Sequence, residues 1–353
     1  MRWSTPHGTP SNGTTPHGTI PDGAESPHAV PHAGEPLLHT VSGPLSAASV
    51  NGPVLAHEHL VVDLDLKGDG AAVLDARRHG PAVSRELAEL REEFGLSLVI
   101  ELTCRGMGRD PAWLARIAEE SGVAVVAATG WYYEPYHPAA DLAGASVEQL
   151  AATLEREILD GITGSDGTPT GIRPGVLGEV GSHGEVPTEP ETRVLRAAAR
   201  AAVTTGLSLA THAQLGHGGL AQLDVLTDSG LAPHRICIGH QDLLTAPAVH
   251  RRLAEAGAYV AFDTVGKESY QSDEVRLRLL LALLEAGHAD RALLSCDISR
   301  HSYLRSEGGQ GYGHLFRSFL PAARAAGVDE DLIDLLTRRN PLRFLTGASP
   351  EEI

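Results

Sequence analysis

The amino-acid sequence predicts an α/β fold, specifically a (β/α)8 TIM barrel, on the strength of two observations. From Leu37 onward, short apolar runs typical of buried strands alternate with longer amphipathic stretches typical of helices. Eight such strand-and-helix units within roughly 300 residues match the usual size of this barrel. A doubly wound open sheet is the alternative, but no Gly-x-Gly-x-x-Gly turn of that fold follows the first strand.

The predicted strands are apolar runs bounded by turn or helix signals. They cover residues 54–61, 98–103, 124–129, 175–180, 208–212, 236–240, 259–263 and 293–297. The predicted helices between them include residues 84–94, 111–120, 147–159, 189–204 and 273–286. Asp110 before Pro111 is an N-cap followed by proline at the first helical position, and Ser146 with Gln149 forms a capping-box pattern. Residues 38–45 suggest a short hairpin or cap beneath the barrel.

Composition and charge restrict the partners of this chain. Among 353 residues, 45 are Asp or Glu and 28 are Lys or Arg, so the formal net charge is −17. Such a charge excludes nucleic acid and anionic membranes as expected partners. No apolar run approaches the length of a membrane span, and no signal-peptide core follows the first residues. Cys104, Cys237 and Cys296 lie in apolar runs, where free thiols are expected, so we expect a cytoplasmic protein.

The first 35 residues differ from the rest of the chain. They are rich in Pro, Gly, Thr, Ser and His, and the pentapeptide Thr-Pro-His-Gly-Thr at residues 5–9 recurs at residues 15–19. Such a segment has too few apolar groups to offset its conformational entropy. We therefore predict a disordered tail over residues 1–35 and a metal-dependent hydrolase barrel over residues 36–353.

Metal-ligating residue types occur at the ends of several predicted strands. His57 and His59 alternate at the end of the first strand, so their imidazoles point to the same side. An isolated His-x-His is more often a pair of core or surface histidines, but further strands carry similar groups at their ends. These are Glu179 on the fourth strand, His212 on the fifth, His240 on the sixth and Asp297 on the eighth. All carboxyl ends of barrel strands converge on the face that holds active sites, and this donor set suits zinc, manganese, cobalt or iron.

Several motifs resemble those of the phosphotriesterase family, within the amidohydrolase superfamily. They lie at residues 40–45, 56–59, 106–110, 127–132 and 239–242, and the resemblance extends over about residues 37–346. It implies two divalent ions per chain, with zinc the expected metal. His57, His59 and Asp297 would hold the more buried ion, and His212 and His240 the more exposed one. It also suggests a homodimer.

The ligand expected to bridge the two ions departs from the best-known members of that family. Those members use a carboxylated lysine, whereas Glu179 occupies the position here. The chain has only two lysines, Lys67 and Lys267, and neither lies on the fourth strand. A bridging glutamate resembles the branch of the phosphotriesterase homology protein, as do residues 178–181, 262–267 and 295–300.

This donor set predicts a hydrolase that acts on a small molecule. Two divalent ions sharing a water lower its pKa and supply a bridging hydroxide at neutral pH. Asp297 is the predicted catalytic residue, which takes the hydroxide's proton and passes it to the leaving group. A lactone, carboxylic ester or amide is the expected substrate, with a phosphotriester as a further option. The alternatives are a metal-loaded binding or regulatory protein without turnover, and a lyase or isomerase on the same centre.

Four residues on the loops after the strands are predicted to contact the substrate, because such loops set specificity in this fold. Arg105 would hold an anionic group. Tyr132 either walls an apolar pocket or covers the barrel rim. Lys267 and Tyr270 follow the seventh strand, and a solvated loop residue is the alternative for Lys267.

Overall fold

The structure, a computed structural model, describes residues 36–164 and 167–349. The tail predicted over residues 1–35 therefore lies outside the described residues. The strands in chain order are β1 (Leu37–Thr40), β2 (Gly43–Ser46), β3 (Val54–Glu58), β4 (Val62–Asp63), β5 (Val73–Leu74), β6 (Leu98–Glu101), β7 (Ala124–Thr129), β8 (Val176–Ser182), β9 (Leu209–Ala213), β10 (Ile236–Ile238), β11 (Tyr259–Phe262) and β12 (Ala292–Leu294).

Eight parallel strands form the barrel, and this confirms the predicted fold. Their order around the sheet is β3-β6-β7-β8-β9-β10-β11-β12, which is also their order along the chain. The backbone N–H of Asp297, just beyond β12, donates to the carbonyl of His57 in β3 at 3.2 Å and draws the first and last strands together. The carboxyl ends of all eight strands consequently face one rim.

Helices follow the barrel strands. In chain order they are α1 (Ala76–Phe94), α2 (Pro111–Ser121), α3 (Ala139–Leu142), α4 (Val147–Asp160), α5 (Glu189–Thr205), α6 (Gly219–Asp228), α7 (Pro247–Glu255), α8 (Asp273–Glu285), α9 (Leu320–Ala325), α10 (Glu330–Asp334) and α11 (Asn340–Thr346). The predicted caps of α2 and α4 form, since Asp110 accepts from the N–H of Trp113 and Ser146 makes a capping box with Gln149. The first helix begins earlier than predicted, after the N-cap Asp75, and it continues through Pro81.

The hydrophobic core has two parts, as the alternation of side chains along a strand requires. One part lies outside the sheet, between strands and helices. The other fills the barrel interior, where Val54, Ile100 and Val176 meet Leu38 of the β1–β2 hairpin and Phe344 of α11. The hairpin predicted beneath the barrel is therefore confirmed, and it closes the end opposite the rim.

The three cysteines are free and buried, as predicted. Burial raises the pKa of each thiol well above its usual value because the thiolate would lose its solvation. Within residues 36–164 and 167–349, no helix combines the length and apolar composition that crossing a bilayer requires.

Candidate metal centre and active-site cleft

Two buried histidines begin the site on β3 and just beyond it. The Nδ1 atom of His57 lies 2.7 Å from Oδ2 of Asp263, and Nδ1 of His59 lies 2.9 Å from the hydroxyl of Thr103. These contacts fix both rings through one nitrogen and leave the other nitrogen, Nε2, facing the barrel axis near Glu179. Such outer hydrogen bonds are the usual means by which proteins orient histidine ligands.

Glu179, on β8, lies among four imidazoles. One carboxylate oxygen, Oε1, is 3.3 Å from Nε2 of His59. The other, Oε2, is 3.5 Å from Nε2 of His57, 3.1 Å from Nδ1 of His212 and 3.4 Å from Nε2 of His240. The peptide bond from Gly178 to Glu179 is cis. A single carboxylate is thus within reach of both pairs of histidines.

His240 and Asp297 adopt left-handed backbone conformations, with φ angles of 56° and 48°. Non-glycine residues carry strain there, and a strand cannot continue through such a residue. β10 and β12 end at Ile238 and Leu294, before the predicted ends at 240 and 297. Glu58 braces Asp297 by accepting from the backbone N–H groups of Cys296 and Ile298, each at 2.8 Å, and Asp263 accepts from the N–H of His240 at 2.9 Å.

The six predicted ligands therefore converge, and we call them the metal cluster. They are His57, His59, Glu179, His212, His240 and Asp297, each at most 7% exposed. Donor atoms of His57, His59 and Asp297 lie within 4.8 Å of one another, as do those of Glu179, His212 and His240. The buried Nε2 atoms of His57 and His59 have no hydrogen-bond partner among the described residues. Since an unpaired buried nitrogen is costly and imidazole and carboxylate donors suit divalent ions, the residues fit a divalent metal centre.

The pKa shifts within the metal cluster also support a divalent metal centre. Burial alone would lower the pKa of His59, but the neighbouring carboxylates of Asp297 and Glu179 outweigh burial and raise it to about 9. Burial alone would likewise raise the pKa of Glu179, but the neighbouring imidazoles hold it well below its usual value. Because the pKa of His59 is raised, a metal bound there would displace a proton from its imidazole.

A cleft of about 160 Å³ opens beside the metal cluster. Its floor includes His212, His240 and Asp297, and aromatic rings form much of one wall. The hydroxyl of Tyr132 lies 3.0 Å from Nδ1 of His212, and the ring of Tyr133 stacks on the same imidazole at 5.2 Å between centroids. The cleft therefore joins an apolar wall to the metal cluster, as small-molecule sites commonly do.

Residues 36–345 match the model of the phosphotriesterase family. The chain belongs to this family. The phosphotriesterase homology protein of Escherichia coli (strain K12) is 37% identical over 295 residues, which are 83% of this chain and 97% of the relative. A crystal structure of that protein, complexed with phosphate in its active site, superposes with a TM-score of 0.79 over 84% of this chain and 99% of that one, at 36% identity.

Two further relatives are hydrolases. The N-acetyltaurine hydrolase of Rattus norvegicus is 30% identical over 348 residues, which are 88% of this chain and 97% of the relative. The organophosphorus hydrolase of Deinococcus radiodurans is 30% identical, with a TM-score of 0.77 over 91% of this chain and 100% of that one. This phosphotriesterase-family member is accordingly a metal-dependent hydrolase that acts on a small molecule, and both the family and the cluster support a divalent metal centre.

Three of the four predicted substrate residues of this family member line the cleft. Tyr132 is buried against His212. Lys267 is buried, and its ammonium binds Oδ2 of Asp297 and the hydroxyl of Ser299, the latter at 3.2 Å. Lys267 is therefore not a solvated loop residue. Tyr270, 48% exposed, lies at the mouth of the cleft.

Arg105 does not line this cleft. Its guanidinium binds the carboxylates of Asp141 and Glu157, and Glu157 is shared with Arg109. We refer to these four residues as the arginine cluster. Because the carboxylates already take its charge, the structure adds no support to Arg105 as a substrate contact, and this role stays a prediction.

Sequence reasoning missed the residues that hold the ligands in place. Asp263 contacts both His57 and His240, and Glu58 contacts the backbone on both sides of Asp297. A signal for Asp263 was present, because it ends the predicted seventh strand as the ligands end theirs. Nothing in the sequence distinguishes Glu58 from a ligand or from an outward-facing strand residue.

Proposed function

We propose that this chain is a hydrolase with two divalent ions, zinc in the first instance, that cleaves a carboxylic ester, lactone or amide. The observation that carries the proposal is Glu179, whose carboxylate lies within 3.5 Å of four imidazole nitrogens. His57, His59 and Asp297 would hold one ion, His212 and His240 the other, and Glu179 both. When bound, the ions would activate a water and polarise the bond under attack.

Asp297 is the proposed proton carrier. Burial alone would raise the pKa of its carboxyl, but Lys267 and His59 outweigh burial and hold that pKa well below the usual value. Asp297 therefore stays ionised at neutral pH and lies on the floor of the cleft. There it accepts a proton from the attacking water and returns it to the alcohol or amine that leaves as the acyl bond breaks.

Lys267 keeps Asp297 ionised and oriented. The ammonium binds Oδ2, so Oδ1, which lies 3.4 Å from Nε2 of His59, faces the metal cluster. Burial opposes the charge of Lys267, but Asp297 outweighs burial and raises the pKa of the ammonium. We infer that Lys267 orients Asp297 and does not bind substrate by itself, while Tyr132 and Tyr270 form walls of the substrate cleft.

We propose a carbonyl compound, rather than a phosphotriester, as the preferred substrate. The rat relative is an N-acetyltaurine hydrolase, whose name specifies an amide, and the Deinococcus relative is an organophosphorus hydrolase. The Escherichia coli relative holds phosphate in its active site. A centre that accommodates a tetrahedral oxyanion also suits the intermediate of acyl transfer, so both chemistries belong in the test.

The test is turnover by zinc-reconstituted protein on lactones, esters, N-acyl compounds and phosphotriesters, with metal content measured in parallel. We expect activity on one carbonyl class and two zinc ions per chain. Glu179→Gln should abolish that activity and lower the metal content, whereas Glu330→Gln, on an exposed ion pair with Arg324, should change neither. Two bound ions without turnover on any class would contradict the proposal and favour a binding role.

Assembly and location stay predictions of the sequence. A homodimer is the expected assembly, and light scattering of the purified chain measures it directly. A cytoplasmic location is expected from the free cysteines, and fractionation of the source cells tests it.

A further inference from the structure

Arg300 is a cation of the cleft that no carboxylate of the described chain neutralises. It follows Ser299, three residues beyond Asp297, and it lines the cleft together with Lys267. Its Nε is buried and has no hydrogen-bond acceptor, and its side chain forms no ion pair within the described residues. Because a buried N–H without an acceptor is costly, its position at the cleft favours an acceptor from outside the chain.

Other arginines on this rim are fully engaged. Arg105 and Arg109 share Glu157, and the buried Arg276 binds both Asp242 and Asp273. Their charges hold the loops in place, so none of them is free to bind a ligand. Arg300 differs from these arginines because it has no ion pair within the described residues.

The guanidinium of Arg300 is held in a defined orientation. Its central carbon lies 5.1 Å from the centroid of the Tyr303 ring, and the ammonium of Lys267 lies 5.2 Å from the same centroid. A cation over an aromatic face is attracted by the negative face of the ring. Tyr303 thereby contacts two cations, and Asp297 neutralises that of Lys267 but not that of Arg300.

The charge of the cleft selects the ligand. Asp297 is the carboxylate among the described residues that line it, and Lys267 already binds that carboxylate. Arg300 therefore leaves a positive end to the cleft in a chain whose net charge is −17. A local field of this sign concentrates anions, and the planar fork of a guanidinium suits oxyanions.

We propose that Arg300 binds an oxyanion at the far end of the substrate, so that the enzyme takes an acyl compound carrying a carboxylate, a sulfonate or a phosphate. This inference rests on the proposed function, since it places the bond to be cleaved at the metal cluster. Arg300 is then a specificity-determining residue, while Asp297 and the metal ligands act on the reacting bond.

Binding of a compound that cannot be hydrolysed tests Arg300 apart from catalysis. The probe is 5-oxohexanoate, in which a ketone replaces an amide, and 5-oxohexanamide is its neutral counterpart. Calorimetric titration of the metal-loaded enzyme should show tighter binding of the carboxylate. Arg300→Gln should weaken that binding about 30-fold, as loss of a charge-assisted hydrogen bond does, and leave the neutral probe within about threefold. Arg300→Lys should lie between.

Arg305→Gln is the matched control, since it removes the same charge from the same connection but from an exposed pair with Glu89. It should bind both probes as the wild type does. The inference would be overturned if the wild type bound the two probes equally or did not bind the charged probe. It would also be overturned if Arg300→Gln and Arg305→Gln lost the same affinity for the charged probe.

Turnover of N-acetyl-β-alanine and its neutral amide, N-acetyl-β-alaninamide, then separates this inference from the proposed function. Charge discrimination in binding without acetate release would support the role of Arg300 and contradict hydrolysis of this amide. Acetate release that Arg300→Gln lowers equally for both compounds would support hydrolysis and overturn the role of Arg300. Ketones ending in a sulfonate or a phosphate identify the preferred oxyanion.

Discussion

The metal cluster and the arginine cluster share one rim of the barrel and differ in how their hydrogen bonds are completed. In the arginine cluster, no buried side-chain atom of the four residues lacks a partner among the described residues. Glu157 alone accepts from Arg105, Arg109 and the hydroxyl of Thr129. In the metal cluster, the buried Nε2 atoms of His57 and His59 face Glu179 at 3.5 and 3.3 Å without forming a hydrogen bond to any described residue. Completed networks fix structure, whereas incomplete ones beside a cleft indicate a missing ligand.

The largest effect on catalysis is expected at Asp297. Asp297→Asn removes the proton acceptor, so kcat/KM should fall by about 10³-fold, as for loss of a general base. Because Glu179 and four histidines remain, we expect metal to stay bound, which metal analysis measures. Asp141→Asn, in the arginine cluster, should leave kcat/KM within about twofold. Activity of the Asp297 variant within tenfold of wild type would contradict the assignment of catalysis to the metal cluster rather than the arginine cluster.

At Glu157 we expect a loss of folding stability without a loss of metal. Glu157→Gln leaves Arg105 and Arg109 without their shared carboxylate, and breaking such a buried pair costs about 3 kcal/mol of folding free energy. Urea unfolding measures this loss, and metal content should not change. An unfolding free energy equal to that of wild type would show that the arginine cluster does not stabilise the rim.

The pH dependence of this loss follows from the pKa of Glu157. Burial alone would raise that pKa, but Arg109 and Arg105 outweigh burial and lower it. A lowered pKa in the folded state gives stability that is present above the unfolded pKa and lost as pH falls through the folded pKa. The unfolding midpoints of wild type and Glu157→Gln should therefore differ most at neutral pH and converge in acid. A difference between the two unfolding midpoints that stays constant from neutral to acid pH would contradict a lowered pKa of Glu157.

A smaller effect is expected at Asp263, which orients ligands without being assigned as one. Asp263→Asn cannot accept from both His57 and His240, so affinity for zinc should weaken by 10- to 100-fold, as for other outer-sphere carboxylates. Competition with a chelator of known affinity measures this change. If affinity is unchanged, the rings are held by their surroundings rather than by Asp263.

The smallest effect is expected at Tyr132. Tyr132→Phe keeps the aromatic wall and removes the hydroxyl beside Nδ1 of His212. Loss of one hydrogen bond of ordinary strength should lower kcat/KM about fivefold. Steady-state kinetics on the substrate found in the panel measures it, with Tyr136→Phe as a control elsewhere on the same wall. A loss above a hundredfold would assign the hydroxyl a direct part in catalysis.

The sequence predicted the barrel and the convergence of six ligands because both depend on local pattern. Strand length, helix caps and the residue at each strand end can be read without knowing what packs against them. The left-handed conformation of Asp297 could not be read, because the neighbouring backbone N–H groups donate to Glu58, which is far away along the chain. The ion pair of Arg105 could not be read either, since its partner Glu157 lies 52 residues further along the chain.

The burial of Lys267 has a practical consequence for chemical labelling. The chain has two lysines, and Lys267 is enclosed against Asp297 and Ser299. Lys67 is exposed, on the segment between β4 and β5 whose residues Leu64 and Ala72 line the cleft. An amine-reactive fluorophore would therefore attach at one lysine side chain, beside the cleft mouth. Such a dye can report the binding of a substrate in the cleft, without any engineered cysteine.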